Sequence, residues 1–163
     1  KKDLKRAVKE RAILDQIYKT SNPQKYFSAN FVKPMESVIT SYYGTARVYN
    51  SIKNSPHLGV DFRAAEGERV PVTNDGKVVF ADNLFFTGYT VIVDHGLNIF
   101  SVYAHLSKLQ VKAEQFVKRG DLLGLSGKTG RVSGPHLHWG IKINGEWIDG
   151  LDLSTLDIVN SII

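Results

Sequence analysis

Two motifs hold residue types from which a metal site can be built. His136 and His138 sit in Ser133-Gly134-Pro135-His136-Leu137-His138-Trp139-Gly140, and His57 and Asp61 sit in Pro56-His57-Leu58-Gly59-Val60-Asp61-Phe62. On a strand, side chains at i and i+2 share a face, so His136 and His138 are expected to be neighbours while Leu137 and Trp139 turn into a core. Two adjacent imidazoles repel when both are charged, and a metal removes the conflict because it requires neutral rings. Spacing i, i+4 likewise keeps His57 and Asp61 on one face of an extended segment, with Gly59 between them permitting close backbone approach. His-x-His alone is read more readily as surface histidine alternating with apolar residues. Both motifs in one chain make metal binding the stronger reading.

The rest of the composition narrows the metal chemistry. The chain has 163 residues, five histidines and no cysteine. Disulfides, thiolate ligands and a cysteine nucleophile are therefore excluded, and any metal must be held by imidazole and carboxylate. One carboxylate with two imidazoles is a three-ligand catalytic zinc shell that leaves a fourth position for water, whereas closed structural sites use four ligands and usually include cysteine.

The elements that must position these residues read as mainly β. Short runs rich in β-formers occur at Ser37–Ser41, Lys77–Ala81, Tyr89–Asp94, Ile99–His105, Asp121–Ser126 and Leu137–Ile143. Turn signals separate them at Asn74-Asp75-Gly76, His95-Gly96, Arg119-Gly120 and Asn144-Gly145, the last being a two-residue hairpin pair. Closely punctuated short strands imply an antiparallel sheet rather than βαβ units. Residues 107–118 read as loop and strand edge. Residues 3–20 read as a helix, with Leu4, Val8, Leu14, Ile17 and Tyr18 as an approximate apolar stripe, stopped by Ser21-Asn22-Pro23. A short C-terminal helix is expected from the capping-box-like Ser154-Thr155-Leu156-Asp157, followed by Val159 and Ile163.

Apolar residues make up 42% and charged residues 23% of the chain, which is ordinary for a globular domain. The net charge of +5 lies wholly within residues 1–25, which hold eight Lys/Arg against three Asp/Glu. It therefore marks a basic extension on a neutral domain, and no nucleic-acid-binding motif accompanies it. No apolar run approaches the roughly 20 residues of a membrane span. The chain opens Lys1-Lys2-Asp3 without methionine, so an upstream segment carrying a signal or anchor is expected.

The ordered motifs resemble the lysostaphin/LytM-type zinc peptidases that cut peptidoglycan cross-bridges. An H-x-x-x-D motif is followed by Tyr103-Ala104-His105-Leu106 and then by H-x-H. The flanks agree, among them Asp75-Gly76-Lys77-Val78, Val91-Ile92-Val93-Asp94-His95-Gly96 and Gly127-Lys128-Thr129-Gly130. The resemblance spans about residues 37–150. It departs at Val70-Pro71-Val72-Thr73, which lacks the usual Ala, and at Arg131-Val132, where Thr/Ser is commoner; neither departure touches a ligand position. The resemblance implies that His57, Asp61 and His138 hold Zn²⁺ and that His105 and His136 form the catalytic pair beside it. Zinc lowers the pKa of bound water from 15.7 to about 7, and the two further imidazoles would divide proton transfer and oxyanion stabilisation between them.

The remaining residues carry weaker expectations. Tyr103, two strand steps from His105, is expected to share its face and line the substrate groove. His95 is assigned to turn or groove structure. Lys128 and Arg131 would meet stem-peptide carboxylates or remain solvated. The organisation expected is a basic helical extension and linker over residues 1–36, a LytM-like peptidase domain over 37–150 and a tail over 151–163. The function implied is endopeptidase action on peptidoglycan stem-peptide cross-links, the D-Ala–diaminopimelate bond in particular, in wall remodelling or cell-shape control. The location implied is the periplasm or cell envelope, and a homo- or heterodimer with another LytM-like protein would form through the helical extension. One rival is a non-catalytic LytM-like module that regulates another hydrolase. The other is a plain metal binder, which leaves His105 and His136 without purpose.

Overall fold

A computed structural model describes residues 2–49 and 52–161. Helix α1 (Lys2–Tyr18) contains neither glycine nor proline, and an Arg6–Glu10 pair at i, i+4 bridges its exposed side at 2.7 Å. Twelve strands follow: β1 (Ile39–Ser41), β2 (Ala46–Tyr49), β3 (Ile52–Pro56), β4 (Val60–Arg63), β5 (Arg69–Pro71), β6 (Gly76–Leu84), β7 (Gly88–Asp94), β8 (Ile99–Leu109), β9 (Phe116–Val117), β10 (Leu122–Ser126), β11 (His136–Ile143) and β12 (Glu146–Ile148). Two short helices close the chain, α2 (Gly150–Thr155) and α3 (Ile158–Ser161).

Ten of the strands form one antiparallel sheet with the central order β1-β4-β11-β8-β7-β6-β9. Strand β10 pairs with both β5 and β8, β12 pairs with β11, and β2 and β3 form a separate hairpin. The Asn144-Gly145 turn closes the β11–β12 hairpin with Ile143 opposite Glu146, and both turn residues have positive φ, 51° and 84°.

One sheet face carries the main core. Phe62, Tyr103, Leu137, Trp139 and Ile141 lie there with Phe27 and Phe31 from the stretch before β1, closed at the end by Leu153 and Ile158. The opposite face is shared. Part of it, at Ile92, Phe100 and Val102, is covered by Leu14, Ile17 and Tyr18 of α1. The Tyr18 ring meets Phe100 and Trp147 edge-on at 5.3 and 5.9 Å. Leu4 and Val8, from the same apolar stripe, remain 70% and 64% exposed, so only the C-terminal part of the stripe packs, half-buried, against the sheet.

The expected C-terminal capping box does not form. Asp149 is the N-cap of α2 and accepts from the Leu151 amide, while the Ser154 hydroxyl donates to Leu151 O in the last turn of that helix. The chain leaves α2 at Leu156 and re-enters a helical turn at Ile158, so Ser154 and Thr155 end a helix where the pattern had them start one. Ile163 lies outside the described residues.

Candidate metal centre

The metal-capable residues meet on the half of the shared sheet face that α1 leaves open. Strand β4 pairs with β11 so that Asp61 stands opposite His138. His57 arrives differently from the sequence reading. It lies in the corner between β3 and β4, not on one extended segment with Asp61, and the turn at Leu58-Gly59 folds it back over the strand. Gly59 makes this possible: a β-carbon there would meet the His138 ring, 2.7 Å from Nε2.

Three atoms converge. His57 Nε2 lies 3.2 Å from Asp61 Oδ1 and 3.2 Å from His138 Nδ1, and His138 Nδ1 lies 2.9 Å from Asp61 Oδ1. Tetrahedral zinc with ligands at about 2.0–2.1 Å separates its donor atoms by roughly 3.3 Å, so this triangle has the size such an ion needs. The Nδ1–H of His57 faces Tyr42 O at 3.2 Å; a carbonyl only accepts, so the proton is on Nδ1 and the Nε2 lone pair faces the centre. Among the described residues this is the group able to hold a metal ion. Burial pushes the Asp61 carboxyl up, but hydrogen bonds and charge from His138 and His57 outweigh it and hold the group well below the usual carboxylate range.

His136 and His105 stand beside this triangle without joining it. His136 Nδ1 faces Gly134 O at 3.1 Å, and its Nε2 is 3.7 Å from Asp61 Oδ2. His105 Nδ1 donates to Thr129 O at 2.8 Å. Both rings therefore turn Nε2 to the site, with ring centroids 5.0 Å apart. Desolvation, opposed by the Thr129 carbonyl and aided by the two neighbouring imidazoles, lowers the His105 pKa to about 4, so the ring is neutral at pH 7.

His105 reaches this face through a β-bulge. Tyr89 pairs with Leu106 and Val91 with Tyr103, so one residue of β7 faces two of β8, Ala104 and His105. Regular pairing puts Tyr103 opposite Trp139 on the core side and Ala104 opposite His138 on the site side. Strict alternation would return His105 to the core. The bulge, with His105 at φ 62°, turns it to the site side instead. Left-handed backbone is uncommon for a residue with a side chain, though histidine is among those enriched there.

The same bulge corrects the expectation for Tyr103. The residue is fully buried, and its hydroxyl accepts from the Thr73 amide at 3.0 Å and bonds Thr73 Oγ1 at 2.8 Å, so it is a core residue and does not line the groove. His95 is also in the core. It faces Asp75 O and Ser101 Oγ, each at 2.7 Å, and packs edge-on against Phe31. It belongs to the turn and not to the groove.

An open groove of about 870 Å³ runs over the centre. His57, Asp61, His105, His136 and His138 all line it, as do Phe86 and two residues the motifs did not single out together, Arg63 and Arg131. Arg63 could have been found from parity, since it stands two residues beyond Asp61 on the same strand. No residue of α1 lines the groove.

This geometry, a three-donor centre with two outward-turned imidazoles on an antiparallel sheet, defines a metallopeptidase type of site. The sequence profile of Peptidase family M23 matches residues 55–150, and the chain belongs to that family. It is 40% identical over 114 residues to the peptidoglycan DD-endopeptidase ShyA of Vibrio cholerae, covering 69% of this chain and 26% of that protein. The chain thus spans about a quarter of the length of such curated relatives. Among solved structures it is similar to a putative peptidase M23 from Pseudomonas aeruginosa, with TM-score 0.83 and 35% identity over 94% of this chain and 62% of the other. It is also similar to a zinc-containing peptidase from Vibrio cholerae, with TM-score 0.69 and 32% identity over 82% of this chain and 41% of the other.

Proposed function

We propose that this chain is a zinc-dependent endopeptidase that hydrolyses peptide cross-links of peptidoglycan, with His57, Asp61 and His138 as the metal ligands. The observation that carries the reading is the ligand triangle with two further imidazoles presenting Nε2 to the same open groove. Similarity to a DD-endopeptidase supports the substrate class.

Zinc bound by the three donors would supply an acidified water and polarise the scissile carbonyl. The chain's own groups do the rest. His105, a neutral ring, and His136 both present Nε2 on the groove side, where a ring nitrogen can take up a proton. The ring that takes the water's proton then carries N–H on both nitrogens and becomes the donor, first to the oxygen that gains charge and then to the departing amine. The Nδ1 contacts to Thr129 O and Gly134 O fix both rings for this work.

The finer assignments follow from the same reading. The bond cleaved is the D-Ala–diaminopimelate cross-bridge, and the setting is the periplasm or cell envelope, in wall remodelling or cell-shape control. Residues 37–150 are the peptidase domain, residues 1–36 its basic extension and 151–163 its tail. Dimerisation with another such domain would use Leu4 and Val8, the exposed part of the α1 stripe. The test is incubation of the zinc-loaded protein with purified muropeptide dimers. Conversion to monomers that stops with a chelator is expected, and persistence of dimers with zinc present sinks the reading. A purely regulatory module has no need of the His105–His136 pair, which favours the peptidase.

A further inference from the structure

The groove around the metal centre carries two guanidinium groups, and we propose that Arg63 and Arg131 read free carboxylates on the substrate, one on each side of the scissile bond. This rests on the peptidase reading and adds the feature of the cross-link that the site selects.

The two arginines flank the centre from opposite sides. Arg63 ends β4, two residues beyond Asp61 and therefore on the same sheet face, and it pairs in register with His136. Arg131 stands across β11, on the side of β8 and β7. Its amide donates to Phe86 O at 2.9 Å, and its guanidinium lies 5.6 Å from the centre of the Phe85 ring. The loop that carries it is fixed by Thr129, whose hydroxyl donates to Leu106 O at 2.6 Å and accepts from the Tyr89 amide at 3.0 Å. The Phe85 amide in turn donates to Glu10 of α1 at 2.8 Å, so the support of this wall reaches back to the helix.

Charge in the groove is one-sided. Among the described residues Asp61 is the single carboxylate that lines it, and Asp61 is engaged by His57 and His138. Among the described residues neither Arg63 nor Arg131 has a carboxylate partner, although both are exposed. A planar guanidinium matches a carboxylate with two parallel hydrogen bonds, which a neutral amide of the same shape cannot return. The substrate that fits is a cross-link with a free carboxylate on the carbon bearing the scissile nitrogen, and another on the residue preceding the cleaved carbonyl's own. Diaminopimelate in its free-acid form supplies both; amidated diaminopimelate keeps the shape and loses the charge.

The test uses the zinc-loaded chain with two muropeptide dimers, identical except that one carries free and the other amidated diaminopimelate. Wild type is expected to prefer the free acid by roughly tenfold or more in kcat/KM at low salt, with the preference shrinking as salt rises. Arg63→Gln and Arg131→Gln should each narrow the ratio, and the double variant should erase it. Binding of the same dimers to His136→Ala protein, and to that protein with the arginine changes added, is measured by calorimetry, so the outcome does not depend on turnover. If no dimer is cut, the peptidase reading falls, and the affinity ratio still decides the arginine proposal. Equal treatment of the two dimers by wild type, or a ratio unchanged in the double variant, overturns the proposal alone.

Discussion

His105 and His136, from different strands, hang their Nδ1–H groups on one loop: His105 on Thr129 O at 2.8 Å and His136 on Gly134 O at 3.1 Å. The loop between β10 and β11 thereby sets both imidazoles at once. Neither ring is part of the ligand triangle, so chemistry and metal binding are separable. His105→Ala and His136→Ala are each expected to lower kcat by roughly 10²–10⁴-fold. Elemental analysis should still find the metal in both variants, and loss of metal from either would make that residue a ligand.

Asp61→Ala removes the one anionic donor and leaves two imidazoles facing each other. Zinc near one per chain in wild type should fall to a trace after dialysis of the variant. Retention of metal would refute the ligand assignment.

Gly59→Ala tests the packing beneath the centre. The added methyl would press on the His138 ring and on the Trp139 carbonyl. Overpacking of this kind costs about 1–3 kcal/mol. Here the ring can yield only by leaving the triangle, so weakened metal affinity with retained circular dichroism is the expected result. A variant that binds zinc as wild type does would show that the corner has slack.

His95 makes stability depend on pH. Desolvation holds its folded pKa at about 4, below the ordinary 6.5, despite the Asp75 carbonyl and the nearby acidic charge. The unfolded chain takes up this proton as pH falls through about 6.5, and the folded chain does not until about 4. The contribution is thus fully present above pH 6.5 and is lost between pH 6.5 and 4, by up to about 3 kcal/mol. Urea midpoints at pH 7.5 and 4.5 should converge more closely for His95→Gln than for wild type. Parallel curves for the two proteins would contradict the assignment.

Tyr103→Phe should destabilise the fold by about 1–3 kcal/mol, because the Thr73 amide loses its buried acceptor. With the metal and groove residues untouched, KM for a muropeptide dimer should hold. A raised KM would put the hydroxyl back in the groove.

Much of this is legible in the sequence. Alternation in His136-Leu137-His138-Trp139 places two imidazoles on one side and the apolar pair in the core, because β11 is regular there. Asn144-Gly145 identifies its hairpin because only such residues take that backbone readily. The short strand β5 leaves little trace, since its partner is supplied by distant sequence and three residues show no period. Leu4 and Val8 follow the α1 stripe yet stay exposed: the apolar patch of the sheet at Ile92, Phe100 and Val102 meets only Leu14, Ile17 and Tyr18, while the earlier turns touch the end of β6 through Arg6 and Glu10. Tyr103 departs from the pattern for a single reason: alternation does not carry across Ala104 and His105, where the ladder breaks.

That break means part of the site is written in the spacing of the chain and not in its letters. Exchanges along Ile99–Tyr103 would alter packing but leave the frame intact. Insertion of one residue beside Thr90, giving Ala104 and His105 a partner each on β7, would restore even alternation, send the imidazole towards the aromatic interior and bring the Leu106 side chain out on the site side. Strands β7 and β8 therefore tolerate substitution far better than a change in length, and the register of one short stretch constrains this site as strongly as the identity of a ligand.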